Sequence, residues 1–248
     1  MSSVYRRRVP WACSIFGATD RAMAAVIEVI RRRTAPVSLR LWPGLGNPAW
    51  NSNGALGLFG ERLKIEIDPG RVLRKIDSTA TGRMRGLFLV SGLDALPTTP
   101  VAALYTYRDM EDIARHGADW RSTRLGQWLL ACLAAGRPPL VRGALITNEA
   151  EIEAYYRGYL TMFESMRDQG YRYEGSDQMC FGVGASGDFL LVRRGTHRLA
   201  AAHILGLKQV TGLVTRIDRR FAEAARARAA KLSVPEAILH GVQDAAKA

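Results

Sequence analysis

The sequence predicts an α+β domain on a small mixed sheet, with a late hairpin-helix-strand unit and added helices at the N-terminus and in the middle of the chain. Three stretches carry that expectation. "RLKIEIDPG" alternates apolar and polar residues from Leu63 to Ile67 and stops at Asp-Pro-Gly, as a half-buried strand entering a turn does. "MCFGVG", "ASGD" and "FLLVRR" set two short apolar runs around a glycine-bearing turn, which signals a hairpin. The alanine-rich "THRLAAAHIL" and then "QVTGLVTRI" follow at once, a helix leading into another strand.

The remaining elements follow in chain order. Thr19 or Asp20 is placed to cap a helix running to about residue 33, with Met23, Val26, Ile27 and Ile30 at helical spacing. Arg31, Arg32 and Arg33 fall where cations suit the negative end of that helix. "WPGLGNPAWNSNGALGLFG", from Trp42 to Gly60, is dense in Gly, Pro and Asn and reads as irregular loop. It divides the chain into an extension over 1–60, a main domain with a helical insertion over 61–218, and a basic C-terminal helix over 219–248. A second strand is expected over 85–90, helices over 110–116, 122–135 and 149–169, and a short strand over 140–146. The acidic "NEAEIEAYY" suits the positive end of the third of these helices, Gly170 suits its stop, and Pro235 marks a break or restart in the closing segment.

A chain of 248 residues, 48% of them apolar, has enough material for a sizeable core. Its 35 Lys and Arg against 23 Asp and Glu give a formal charge of +12, which favours phosphates on nucleic acid, nucleotides or anionic lipid. Cys13, Cys132 and Cys180 are odd in number and far apart, so neither a disulfide framework nor a zinc site is expected, and a reducing cytoplasm fits best. Asp20 and Arg21 interrupt "WACSIFGATDRAMAAV" before an export signal develops. No run approaches the roughly 18 apolar residues a bilayer span needs; "LGQWLLACLAA" suits a buried helix instead.

The densest chemistry lies at the junction "RRGTHRL". Gly195 allows a tight turn and a close approach of backbone to ligand, Thr196 is placed to cap the following helix, and the helix start presents N–H groups to an anion. Arg198 adds a planar cation matched to phosphate oxygens, and His197 a further donor or a proton-transfer group. His203 lies about 10 Å along the same helix from Thr196, too far to share one compact site. With His116 and His240 elsewhere, no histidine pair has metal-ligand spacing, and GxSxG, Walker-type and HExxH motifs are absent. If Mg²⁺ takes part, a carboxylate must hold it: Asp68, Asp94, Asp177 and Asp188 are the loop candidates, with Asp68, Asp94 and His197 the candidates for catalysis.

"IEIDPGRV" at 65–72 and "LLVRRGTHRLAAAHILGL" at 190–207, followed by a strand, resemble the superfamily shared by ParB N-terminal domains and sulfiredoxin, in which a G-x-H/R-R motif opens a helix at a nucleotide's phosphates. The resemblance extends over about 62–218, with "SGLDAL" and "DWRSTRLGQW" similar to a branch carrying helical insertions before the motif. It implies a ParB/sulfiredoxin-like fold in which Gly195, Thr196, His197 and Arg198 bind the phosphates of a nucleotide such as CTP, ATP or ADP, with Mg²⁺. Thr196 stands where sulfiredoxin has its catalytic cysteine, so the resemblance implies no reduction of oxidised cysteine, while Arg198 matches an arginine that grips CTP in ParB proteins. Other members phosphorylate a small hydroxyl-bearing acceptor or have been proposed as nucleases. Many carry an acidic residue before the glycine; Arg194 here removes that metal or base position and raises the local positive charge.

Three functions follow as expectations. One is binding of a nucleotide or phosphorylated small molecule, with hydrolysis or phosphoryl transfer to an acceptor. Another is a non-enzymatic DNA-associated protein whose "DRRFAEAARARAAK" contacts the phosphate backbone without reading sequence. The third is a scaffold that keeps the fold without the ligand.

Overall fold

The computed structural model describes residues 52–84, 86–141, 143–172 and 178–248. The helix expected over 19–33, Cys13 and Asp177 lie outside these residues. The described chain is a mixed α+β fold. In order, it runs α1 (Ser52–Phe59), β1 (Lys64–Ile67), β2 (Arg74–Ile76), α2 (Ser78–Arg83), β3 (Leu89–Val90), β4 (Thr98–Pro100), α3 (Tyr105–His116), α4 (Arg124–Ala134), β5 (Leu140–Val141) and β6 (Ala144–Leu145). It continues with α5 (Glu149–Gln169), β7 (Met179–Val183), β8 (Phe189–Leu191), α6 (Thr196–Ile204), β9 (Val210–Asp218), α7 (Arg219–Arg228) and α8 (Val234–Lys247).

The main sheet has the order β1-β9-β7-β8-β2-β4, and β3 also pairs with β9. β9 joins it together: β1 lies antiparallel to its first half, β3 parallel to its last two residues, and β7 parallel along its other edge. β7 and β8 form the expected antiparallel hairpin, with Phe181 opposite Leu191. Because side chains alternate along a strand, Phe189 and Leu191 enter the large core while Leu190 and Val192 enter a smaller cluster with Ile76, Ala80, Met84, Val90 and Leu93 on the opposite face. The large core gathers Phe181, Val183, Val214 and Ile217 from the sheet, Met110 and Ile113 from α3, Ile152 and Tyr156 from α5, and Phe221, Ile238 and Val242 from the last two helices.

Several helix starts follow from local chemistry. Thr123 caps α4 by accepting from the Gly126 amide, Asn148 caps α5 by accepting from the Glu151 amide, and Ser233 and Glu236 form a reciprocal capping box at α8 with Pro235 in its first turn.

Three expected stretches differ from the sequence expectation, and three short elements add to it. Residues 52–59, read as loop, form α1, because burial of Ala55 and Phe59 against the core outweighs the weak helix propensity of their glycines; the Phe59 and Phe88 rings lie 5.8 Å apart. The strand over 85–90 contracts to Leu89–Val90, where β9 offers pairing partners. The strand over 140–146 is a separate two-stranded hairpin, turned at Gly143 with φ +83°. β2, α2 and β4 were not anticipated, being short and carrying no period long enough to register.

Arg71 ties the turn after β1 to the end of the chain. Its guanidinium donates to the carbonyls of Ala245 at 2.7 Å and Ala246 at 2.9 Å in the last turn of α8, and lies 5.7 Å from the Phe189 ring centroid. A cation there satisfies carbonyls that have no helical partner and complements the helix dipole. Arg71→Ala is expected to lower stability by about 1–2 kcal/mol in urea unfolding, and Arg71→Lys to recover only part of it because one ammonium cannot reproduce the fork.

Candidate functional site

The end of β8 and the start of β9 lie at the same end of the sheet, since β8 is antiparallel to β7 and β7 parallel to β9. α6 makes that crossing. Nine residues rise about 13 Å, enough to pass over two strand spacings of about 5 Å each. Leu199, Ala200, Ala201 and Ala202 form its buried face, and the small alanines let it lie close beneath α3 and α5.

Gly195 is the N-cap of α6, with φ +91° and ψ 12°. A Cβ at this position would overlap the Met179 side chain and stand 2.9 Å from the Met179 Cα. Both the left-handed conformation and the contact with β7 therefore demand glycine. The expectation that Thr196 caps the helix is corrected: Thr196 is the first helical residue, because the cap position needs a conformation that a β-branched residue adopts only at a cost. The first helical bond runs from the Leu199 amide to the Gly195 carbonyl at 2.8 Å, so the amides of Thr196, His197 and Arg198 precede the internal ladder.

Arg193 and Arg194 are exposed, and Arg198 is half-buried. Arg194 prolongs the β8 edge, its carbonyl accepting from the Cys180 amide at 3.4 Å. Burial pushes the Cys180 thiol up, while Arg194, Arg193 and Arg216 draw it back down. Burial lowers the pKa of Arg216, and the like charge of Arg193 lowers it further. This end of the β7–β8–β9 ribbon is thus strongly cationic. His197 packs its ring against Tyr159 of α5, with centroids 4.5 Å apart and an interplanar angle of 35°, and the Tyr159 hydroxyl lies 2.9 Å from that of Tyr155.

The carboxylate candidates are not gathered around the motif. Asp68 accepts from the Gly70 amide at 2.8 Å and caps the turn Pro69–Arg71. It stands at the far end of α6, where His203 Nε2 lies 2.6 Å from the Pro69 carbonyl, and with Lys208 it lines a cleft of about 200 Å³. Asp94 accepts from the Ala185 amide at 2.8 Å and lies 3.6 Å from the Arg220 guanidinium, holding the hairpin turn. Asp188 accepts from the Ser186 hydroxyl at 2.6 Å in that same turn. Both belong to the hairpin-turn end of the sheet, and from Asp188 to Gly195 the chain runs seven residues, about 23 Å if fully extended at some 3.3 Å per residue. Among the described residues no group of three His, Cys, Asp or Glu is placed to hold a metal ion.

Four residues have structural roles that the sequence does not single out: Tyr155, Tyr159 and Met179 near the motif and Asp218 at the other end of the sheet. Tyr155 and Tyr159 sit one turn apart on α5, a spacing that alone says only that they share a face. Met179 sets the glycine requirement through a cross-strand contact with no local signal. Asp218 is fully buried at the end of β9, accepting from the Leu93 amide at 2.7 Å, the Arg220 amide at 2.9 Å and Arg220 Nε at 3.2 Å. Its signal was an Asp followed by "RR" at a strand-to-helix boundary.

No family model, curated protein or solved structure matches the chain.

Gly195→Ala is expected to cost about 2–4 kcal/mol, combining left-handed strain with overpacking on Met179, as read by urea unfolding. Burial raises the Asp218 pKa, but the hydrogen bonds from Arg220 and Leu93 outweigh it and hold the carboxyl below its usual range. Its stabilisation is therefore complete above the unfolded value of about 4 and lost as pH falls through the lower folded value. Asp218→Asn should lose about 2 kcal/mol at neutral pH, and its deficit relative to wild type should shrink as unfolding is followed from pH 6 to pH 2.

Proposed function

We propose that this protein binds a nucleotide or phosphorylated small molecule at the start of α6, with Gly195, Thr196, His197 and Arg198 as the binding residues, in the manner of the ParB/sulfiredoxin superfamily it resembles. The observation that carries this reading is the glycine-forced N-terminus of α6, whose first-turn amides stand within the field of Arg193, Arg194 and Arg198. CTP, ATP and ADP, with or without Mg²⁺, are the ligands to be tried. Hydrolysis or transfer of phosphate to a small acceptor is the catalytic extension of the same reading. Asp68 and Asp94 receive less support as catalytic groups, since each holds a turn away from the motif. A reducing, cytoplasmic setting is part of the proposal and rests on the odd number and wide spacing of Cys13, Cys132 and Cys180 in the sequence.

A second reading has one observation in its favour. α7 buries Phe221, Ala222 and Ala225 and turns Arg220, Arg226 and Arg228 outward, a basic face suited to a phosphate backbone without base readout. Among the described residues no helix is long and apolar enough to cross a membrane.

The two readings separate in one series of measurements. Thermal melts with CTP, ATP and ADP, each with and without Mg²⁺, are expected to rise for at least one nucleotide, by about 2.7 kcal/mol of stabilisation at a hundredfold excess over Kd. Arg198→Ala should abolish the rise while leaving the unliganded melt within a few degrees of wild type. No rise with any of them, together with duplex DNA binding that weakens steeply with salt, would transfer the function to α7.

A further inference from the structure

We infer that the cleft at the far end of α6 is a second binding site, suited to a small zwitterion such as a free α-amino acid; it is independent of the phosphate-binding reading. The cleft, of about 200 Å³, has Asp68, Pro69 and Gly70 on one side and the end of α6 with Leu207 and Lys208 on the other. Both walls are fixed by their own hydrogen bonds. Asp68 Oδ1 accepts from the Gly70 amide at 2.8 Å, which holds the turn after β1. Gly206, with φ +63°, closes α6: its amide donates to the His203 carbonyl at 3.1 Å, and the Leu207 amide to the Ala202 carbonyl at 3.0 Å. His203 ties the walls together. Its Nε2 lies 2.6 Å from the Pro69 carbonyl, which can only accept, so Nε2 carries the proton.

Two opposite charges line this cleft without meeting. Asp68 Oδ2 and the Lys208 ammonium have no hydrogen-bond or ion-pair partner among the described residues, so the two charges stand more than 4.0 Å apart. Both side chains are exposed, and a single ion at either would be held weakly through water. A lone anion at Lys208 would also meet the carboxylate of Asp68, and a lone cation at Asp68 the ammonium of Lys208. A zwitterion satisfies both at once, and its second contact forms within a complex already made. The ammonium of an α-amino acid has three donors for an acceptor-only carboxylate, and its own carboxylate accepts from Lys208. Pro69 and Leu207 supply apolar surface for a short side chain. The volume lies below the roughly 300 Å³ at which pockets for drug-sized ligands begin, which limits the occupant to a compact molecule.

The test is calorimetric titration of the full chain with L-alanine, L-valine and L-proline, and with propionate and ethylammonium as the two halves of such a ligand. At least one amino acid should bind saturably and about tenfold more tightly than either half. Asp68→Asn, which keeps the acceptor for Gly70, and Lys208→Gln should each weaken it about fivefold, the scale of one exposed ion pair. The Gly70 and Gly206 amide resonances should move as that amino acid saturates. Should Asp68→Asn fail to fold, Lys208→Gln decides alone. Three results overturn the inference: no binding of any of the three amino acids, propionate or ethylammonium binding as tightly as they do, or unchanged affinity in Lys208→Gln. CTP titrated into the same variants should behave as with wild type, so a failure at this cleft leaves the phosphate reading standing, and a failure of CTP to bind leaves the cleft untouched.

Discussion

The contact between Gly195 and Met179 is the constraint on which the rest of this architecture depends. It joins the end of one hairpin strand to the start of the other at backbone distance, and α6 springs from it. Any side chain at the junction would lift the helix start off β7. The lift would propagate, because α6 is only nine residues long and must land at β9, whose register with β1 and β7 is fixed along most of its length. The alanine face has the same geometric origin: a crossing of two strands so close to the sheet leaves no room for larger side chains beneath α3 and α5.

Net charge takes on meaning only after the arginines are followed to their partners. Several are occupied in holding the structure. Arg71 ends α8, Arg124 bonds Asp112 at 2.9 Å and the Arg108 carbonyl at 2.8 Å, and Arg121 and Arg157 pair with Glu149 and Glu153. The exposed pairs contribute little stability each, though they lower the charge available to a ligand. What distinguishes the end of β8 is that Arg193, Arg194 and Arg216 act together on one half-buried thiol, and that the like charge of Arg193 adds to burial in lowering the pKa of Arg216. This positive charge gathers around Cys180 and, through Arg193 and Arg194, adjoins the start of α6 along the chain.

The sequence was most legible where a period and a turn coincided. β1 with its Asp-Pro-Gly stop, the β7–β8 hairpin, α6, β9 and α5 each combine a repeating apolar pattern with residues of fixed turn or cap chemistry, and each stands where that pattern puts it. β2 and β4 are three residues each and owe their strand state to their neighbours, so nothing local announces them. α1 was hidden by its glycines, and its helix is a consequence of Phe59 finding Phe88. At the site, the glycine, the guanidinium and the helix start were readable from "RRGTHRL". The tyrosine wall was not, because Tyr159 and His197 are brought together only by the packing of α5 on α6.

The distribution of carboxylates bears most directly on what the site does. Asp94, Asp188 and Asp218 all belong to the hairpin-turn end of the sheet, where they bind backbone amides or Arg220. Asp68 shares the sheet end of the motif but lies across the length of α6, its carboxylate committed to Gly70. An anion at Gly195 therefore meets the cations without repulsion from any of these four. The same separation withholds from it the base or metal-holding group that phosphoryl transfer requires. With respect to these four carboxylates, the placement favours the binding part of the proposal over its transfer part.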